Sequence, residues 1–270
     1  MRDYLVFVRA GSRSLHPRLI AEDPSRNWDC CVSWYANAAD DEQAEYYVQG
    51  GDNKLEAFAA YFRDTQAGTR YRYYLLLDDD IYFRPGDISR LFDLCQAHSL
   101  FLSQPALLWG TNSNHDVTLW NPVCRVRRTR FVEVMAPCFS RAAVERLLPT
   151  FTLNKSTWGV DYAWASLLQG EGRIAVVDSV RVDHTKPVSL GEGAFYAKLR
   201  SMGIDAVEEY RAIKSTYPGF GGLRSEPAGH IFTMPLPAFA GNALTRLFEK
   251  VKKHAHRRRM RALSSAKARA

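Results

Sequence analysis

Tyr73-Tyr74-Leu75-Leu76-Leu77-Asp78-Asp79-Asp80 is the stretch that decides the fold. Its opening run of five apolar and aromatic residues is too short for a helix and suits a strand buried on both faces, as in the parallel sheet of an α/β protein. Such a strand rarely ends in three carboxylates unless something positive is there to receive them. Open α/β sheets bind ligands at the carboxyl ends of their strands, which is where the triplet falls. If the backbone stays extended, Asp78 and Asp80 point one way and Asp79 the other, giving a two-carboxylate face with one supporting group. An oxygen face of that kind suits a hard divalent cation, Mg²⁺ or Mn²⁺, shared with substrate phosphates. The plainer reading is a solvated acidic turn, and the downstream flank argues against it. Arg84-Pro85-Gly86-Asp87 turns the chain into a helix with Asp87 as its expected N-cap and Ile88, Leu91, Phe92 and Cys95 as one apolar stripe.

Working outward, Tyr4 to Val8 reads as a first strand, followed by the polar loop Arg9–Ser14. Cys30 to Tyr35 reads as a second strand that ends in an acidic loop through Asp40-Asp41-Glu42. From Lys54, the spacing of Leu55, Phe58, Ala59 and Phe62 predicts an amphipathic helix leading to the acidic strand. Beyond it, Leu100–Leu102 reads as a strand broken by Ser103-Gln104-Pro105-Ala106, and residues 109–130 as a polar excursion, a loop or hairpin. Phe131–Met135 alternates like a strand, and Ser140 is placed to cap a helix carrying Val144, Leu147 and Leu148. A helix opening near Trp158-Gly159 would bury Val160, Ala163, Trp164 and Leu167, leaving Asp161 about 100° off that stripe and free to face a cleft. Ile174–Val177 is the last convincing strand, followed by Asp178 and the segment Asp183-His184-Thr185-Lys186-Pro187. Strands alternating with helices are the α/β pattern.

Length and composition agree. A chain of 270 residues, 46% apolar and 12% aromatic, suits one large domain with an appendage, with the boundaries expected at 1–235 and 236–270. The net charge of +7 is concentrated at the end, where residues 246–270 carry ten Lys/Arg against one acid. The near-neutral remainder argues against a nucleic-acid groove, so no nucleic-acid partner is expected. Cys30, Cys31, Cys95, Cys124 and Cys138 show no metal or disulfide spacing and read as buried thiols of a reducing compartment. No apolar run approaches a signal-peptide core or a membrane span, so a cytoplasmic protein is expected, with peripheral attachment to the inner membrane face. That attachment rests on the tail. Leu244, Leu247, Phe248 and Val251 form a helical stripe among basic residues, so residues 244–261 read as a basic amphipathic helix for an anionic membrane surface, then a polar coil. A disordered solubilising tail is an equal alternative.

Five blocks in order carry a resemblance: Leu77-Asp78-Asp79-Asp80; Ser103-Gln104-Pro105-Ala106-Leu107; Val132-Glu133-Val134-Met135-Ala136-Pro137-Cys138-Phe139-Ser140-Arg141-Ala142; Trp158-Gly159-Val160-Asp161; and Val176-Val177-Asp178-Ser179 with His184. Together they resemble a family of glycosyltransferase-like proteins of plants and bacteria, catalogued as a domain of unknown function, over roughly residues 50–195. The resemblance implies a GT-A-like, Rossmann-like α/β fold: a single-domain nucleotide-sugar-binding sandwich with a mixed, mainly parallel central sheet, here carrying the C-terminal basic amphipathic helix. It implies an Asp-x-Asp motif in which Asp78 faces the nucleotide and Asp80 ligates the metal, with Asp79 standing where the family often has Glu.

The chemistry implied is transfer of a sugar from a nucleoside-diphosphate donor to a glycan or lipid-linked acceptor. A divalent cation, Mn²⁺ or Mg²⁺, would stabilise the leaving diphosphate. His184 is the candidate further metal ligand. Asp161 is the candidate general base of an inverting reaction, with Glu133 second. Arg9, Arg13 and Lys54 are candidate phosphate or base contacts, and Trp158 a candidate platform for an acceptor sugar. Asp178 and Asp183 are either structural acids or groups that orient His184. The same metal site would also serve nucleotidyl or phosphoryl transfer, and a sugar-nucleotide- or carbohydrate-binding protein without turnover is the non-enzymatic alternative.

Overall fold

A computed structural model describes residues 2–35, 43–186, 194–218 and 229–267. The chain runs β1 (Tyr4–Ala10), α1 (His16–Ala21), β2 (Trp28–Trp34), β3 (Tyr46–Gln49), α2 (Lys54–Asp64), α3 (Gln66–Thr69), β4 (Tyr73–Asp78), β5 (Ile81–Tyr82) and α4 (Asp87–Ala97). It continues through β6 (Leu102–Leu107), β7 (Cys124–Arg128), β8 (Cys138–Ser140), α5 (Arg141–Leu147), α6 (Val160–Leu167), β9 (Ile174–His184), α7 (Ala194–Ser201), α8 (Ala206–Thr216), β10 (Ile231–Phe232) and α9 (Ala238–Lys267).

One mixed sheet has the order β10-β7-β9-β6-β8-β4-β1-β2-β3, with β5 beside β9. Its β3-β2-β1-β4 half is parallel throughout, and β8 enters antiparallel between β4 and β6. The chain leaves β1 toward β2 and β3, then crosses back to lay β4 on β1's other side. At such a reversal the carboxyl ends of the strands, here β1 and β4, are where open α/β sheets bind ligands in a crevice. Alternate strand residues feed two cores. Val6, Val8, Leu75 and Leu77 pack with α4 residues Ile88, Leu91 and Phe92, whereas Leu5, Phe7, Tyr74 and Leu76 pack with Phe58 of α2, Val144 of α5 and Trp164 of α6. The result is helix, sheet and helix in three layers, which explains why β1, β2 and β4 read as apolar runs rather than alternations.

Several local expectations are corrected. Ser103–Ala106 does not break a strand but forms the middle of β6, and Pro105 sits where the β6–β9 register shifts, a bulge that tolerates a residue without an N–H. Phe131–Met135 is not a strand. It is a buried irregular segment whose end runs beside β4, with Met135 and Pro137 carbonyls accepting from the N–H groups of Asp78 and Leu76. The polar excursion contains a short 3₁₀ turn, Asp116–Thr118, and strand β7. Gly86, not Asp87, is the N-cap of α4; its φ of 77° suits glycine, and Asp87 is the first helical residue, where the dipole favours an acid. Leu167 is exposed on α6, while Asp161 is buried. β9 extends to His184, and α9 stays helical to Lys267 instead of giving way to coil. Asp40–Glu42 and Pro187 lie outside the described residues. All five cysteines are buried thiols, none in a disulfide. Among the described residues, no helix is long and apolar enough to cross a membrane.

Candidate functional site

The strand β4 stops at Asp78 and the chain turns at Asp79 and Asp80, so the three carboxylates diverge instead of forming the expected two-plus-one face. Each meets a different basic group. Asp78 Oδ1 accepts from Lys54 Nζ at 2.7 Å. Asp79 accepts from Lys186 Nζ at 2.8 Å, from the Tyr35 hydroxyl at 2.9 Å and from the backbone N–H of Gly11 at 3.0 Å. Asp80 Oδ2 lies 3.4 Å from His184 Nε2 and 4.0 Å from Lys186 Nζ.

Local structure explains each placement. Asn53 caps α2 by accepting from the Glu56 N–H at 3.0 Å, which sets Lys54 in the first turn. A cation there opposes the helix dipole, and Asp78 offsets the cost. All three ammonium hydrogens of Lys54 are engaged, because the Val134 and Met135 carbonyls also accept from it at 2.8 and 3.0 Å. Gly11 leaves room for Tyr35, whose hydroxyl would lie 2.2 Å from a Cβ at that position. The short β5 pairs antiparallel with β9, Ile81 opposite His184, and this brings Asp80 to the histidine. His184 Nδ1 lies 2.9 Å from the Asn112 carbonyl, which fixes the ring and turns Nε2 toward Asp80. Thr111 clamps the same residue, its hydroxyl accepting from the His184 N–H at 2.8 Å and contacting Asp183.

Electrostatics follow the geometry. Burial opposes ionisation of Asp80, but the His184 hydrogen bond and charge, with Lys186, hold its carboxyl below the usual range. Burial also works against a charged His184, yet Asp80 and the Asn112 carbonyl push it up to about 9. Behind this rim lie two buried acids. Glu133, 4% exposed, is pushed up to about 8, first by burial and then by the charge of Asp161; its Oε2 has no hydrogen-bond partner. Asp161, 6% exposed at the start of α6, is pushed up to about 7 by burial, against backbone N–H donors that include Tyr162 at 3.0 Å. Gly159 caps α6 at φ 84° and packs on Tyr210 and Ile213 of α8, so the helix start is held from behind.

The structure thus gathers Asp78, Asp79, Asp80, Lys54, His184, Glu133 and Asp161 at one crevice. Arg9 stands opposite Asp78 on β1, but its guanidinium is committed inside the fold, to Ser33 Oγ at 2.7 Å and the Gly50 and Gly51 carbonyls at 2.6 and 2.7 Å. Arg13 is exposed on the loop after β1. The Trp158 indole donates to the Tyr196 hydroxyl at 2.8 Å. Asp178 is away from the crevice, in a fully buried pair with Arg127. Lys186, Tyr35, Thr111 and Asn112 were not singled out from the sequence. Lys186 stood in a segment noted only as polar, and Thr111 and Asn112 in the excursion that periodicity could not place.

Two protein donors converge for a cation, the Asp80 carboxylate and His184 Nε2. Among the described residues, no group of three or more His, Cys, Asp or Glu side chains encloses one. Asp78 is engaged by Lys54 instead, through Oδ1 at 2.7 Å. The donor set therefore fits a hard divalent ion whose remaining positions would be filled by substrate oxygens and water.

No protein-family profile matches the sequence, and no curated protein matches it. Solved structures do match in three dimensions. GalNAc-T7 with UDP, GalNAc and Mn²⁺ superposes with a TM-score of 0.52 at 11% identity, over 80% of this chain and 51% of that one. The chain has the GT-A-like fold. It spans about half the length of that protein. S. aureus TarS in complex with UDP-GlcNAc matches with a TM-score of 0.48 at 10% identity, over 80% of this chain and 73% of that one. A Desulfovibrio desulfuricans protein described as a nucleotide-diphospho-sugar transferase matches at 0.43 and 12%, over 78% and 99%.

Proposed function

We propose that this chain is a divalent-metal-dependent glycosyltransferase that moves a sugar from a nucleoside diphosphate to a glycan or lipid-linked acceptor. One observation carries the reading. At the carboxyl ends of β1 and β4, a carboxylate–histidine pair suited to a cation stands in front of two buried acids to which, among the described residues, no cation is bonded. Titratable groups perturbed in this way, gathered in a ligand crevice, are the mark of a reacting centre.

Asp80 and His184 would hold the ion, which when bound supplies Lewis-acid stabilisation to the departing diphosphate. Lys186, 40% exposed at the rim, is placed to add positive charge beside those phosphates. Lys54 holds Asp78 and the Val134–Met135 backbone in position rather than touching phosphate. The acceptor hydroxyl oxygen forms the new bond to the anomeric carbon as the bond to the diphosphate oxygen breaks. Its proton passes to Asp161, whose value near 7 suits a base at neutral pH. Glu133, protonated at that pH and with an oxygen unpartnered, is suited to hydrogen-bond a sugar hydroxyl.

The test is a melting-temperature screen of UDP and GDP with and without Mn²⁺, followed by chromatography of products from the nucleotide sugars of the better binder. Stabilisation that needs both ion and nucleotide, with release of nucleoside diphosphate, is expected. Release of pyrophosphate or orthophosphate would instead assign nucleotidyl or phosphoryl transfer, and no response to any pair would overturn the reading.

A further inference from the structure

The terminal helix α9 docks on the body by its polar side. Thr245 and Lys252 are each 1% exposed. The Thr245 carbonyl accepts from Asn121 Nδ2 at 3.3 Å, Lys252 Nζ donates to the Leu119 carbonyl at 2.8 Å, Glu249 pairs with Arg127 at 3.1 Å and Arg259 donates to the Thr111 carbonyl at 2.6 Å. These residues recur every three, four or seven positions, so they share one face. Most of the apolar stripe is left on the other, with Phe248 half-buried at its edge. Leu244, Leu247 and Val251 are 39, 55 and 47% exposed, and Phe239 near the helix start is 80% exposed.

This inverts the usual arrangement, in which a surface helix buries its apolar stripe against the core. The outer face is also strongly cationic. Lys250, Arg257 and Arg258 are exposed along and beyond the stripe, and Glu249, the single acid between Ala238 and Lys267, is turned inward to Arg127. An exposed row of branched apolar side chains flanked only by positive charge is complementary to the headgroup region of an anionic bilayer. There, leucine and valine enter the acyl boundary while basic side chains meet lipid phosphates. A double-stranded nucleic acid would match the charge but leaves the apolar row in water.

We propose that the outer face of α9 docks this protein on anionic membranes, with the helix lying in the plane of the interface. The inference rests on α9 alone and is independent of the glycosyl-transfer reading.

The test is co-sedimentation of the full chain with vesicles of phosphatidylcholine, with or without phosphatidylglycerol, and with Leu247→Glu/Val251→Glu as the variant. Both positions are exposed, so an unchanged melting temperature is expected and serves as the folding control. Phosphatidylglycerol should raise the bound fraction at least about tenfold, raised salt should reverse the gain, and the variant should lose at least about tenfold in affinity. Three results would overturn the proposal: equal binding to both vesicle types, undiminished binding by the folded variant, or retention on duplex DNA without vesicle binding. Should the variant misfold, Leu247→Ser/Val251→Ser replaces it, with weakened vesicle binding expected and full binding again overturning the proposal.

Discussion

Two regions of this protein bury acidic side chains and treat them in opposite ways. Under α9, Asp178 is fully buried against Arg127, which reaches it through Nε at 2.9 Å and Nη2 at 3.2 Å, while the Asn121 N–H donates to it at 2.8 Å. In the crevice, Glu133 and Asp161 are as deeply buried, yet neither has a cation in hydrogen-bond contact among the described residues. An isolated buried carboxylate is expensive, and a fold under structural demand alone supplies a partner or avoids the acid. The uncompensated pair is therefore the one whose occupancy depends on something arriving, whether a proton or a substrate hydroxyl.

That contrast can be broken by experiment. For Asp161→Asn, which keeps size but removes the base, turnover should fall by about 10²–10⁴-fold while the cation-dependent nucleotide response in the melting screen persists. Retained turnover removes Asp161 from the mechanism. Arg127→Met strands Asp178 and should cost about 3–5 kcal/mol of stability by denaturant titration, with nucleotide affinity unchanged in the folded fraction. A smaller loss means that water reaches the pair once the guanidinium is gone. Asp80→Ala should erase the Mn²⁺-dependent part of nucleotide stabilisation, about 2.7 kcal/mol at a ligand concentration one hundred times Kd, without unfolding the free protein. A parental response to metal and nucleotide would return that role to Asp78.

Two pH effects of opposite sign sharpen the comparison further. Glu133 is raised from 4.5 to about 8 in the fold, so between those values the folded state holds the extra proton and stability falls as pH rises. Glu133→Gln should flatten that slope in melting temperature. Burial, with Arg127 beside it, lowers Lys252 from 10.5 to about 7. Here the unfolded chain holds the extra proton, so between pH 7 and 10.5 stability rises with pH, and Lys252→Met should remove the rise.

The parts of the fold that were legible in the sequence are those where one physical signal acts alone. β1, β2 and β4 are short continuous runs buried on both faces, α2 repeats at the helical period, and the cap at Ser140 is a local hydrogen bond, its hydroxyl accepting from Ala143 at 3.1 Å. What was not legible depends on partners distant in sequence. Phe131–Met135 has the alternation of a strand, but its Val134 and Met135 carbonyls accept from Lys54 and from the Asp78 N–H of β4, so it is buried without a ladder. Pro105 signals a break only until β9 supplies a bulge to hold it. The acidic triplet announced a charged site, yet its division among Lys54, Lys186 and His184 needed the β5–β9 pairing, which two residues of strand could not advertise. Asp161 was expected at an open cleft because its angle on α6 was right. Its burial comes from packing around the start of α6, which lies outside that helix's own pattern.

The polar seat of α9 has a consequence for any shortened form of this protein. A chain ending before Ala238 would uncover the Arg127–Asp178 pair and the Leu119 carbonyl, groups that water solvates readily, and would shed exposed leucines and a phenylalanine at the same time. Such a fragment should be less sticky than its parent, with the lost helix felt as local hydration of one sheet edge instead of as aggregation.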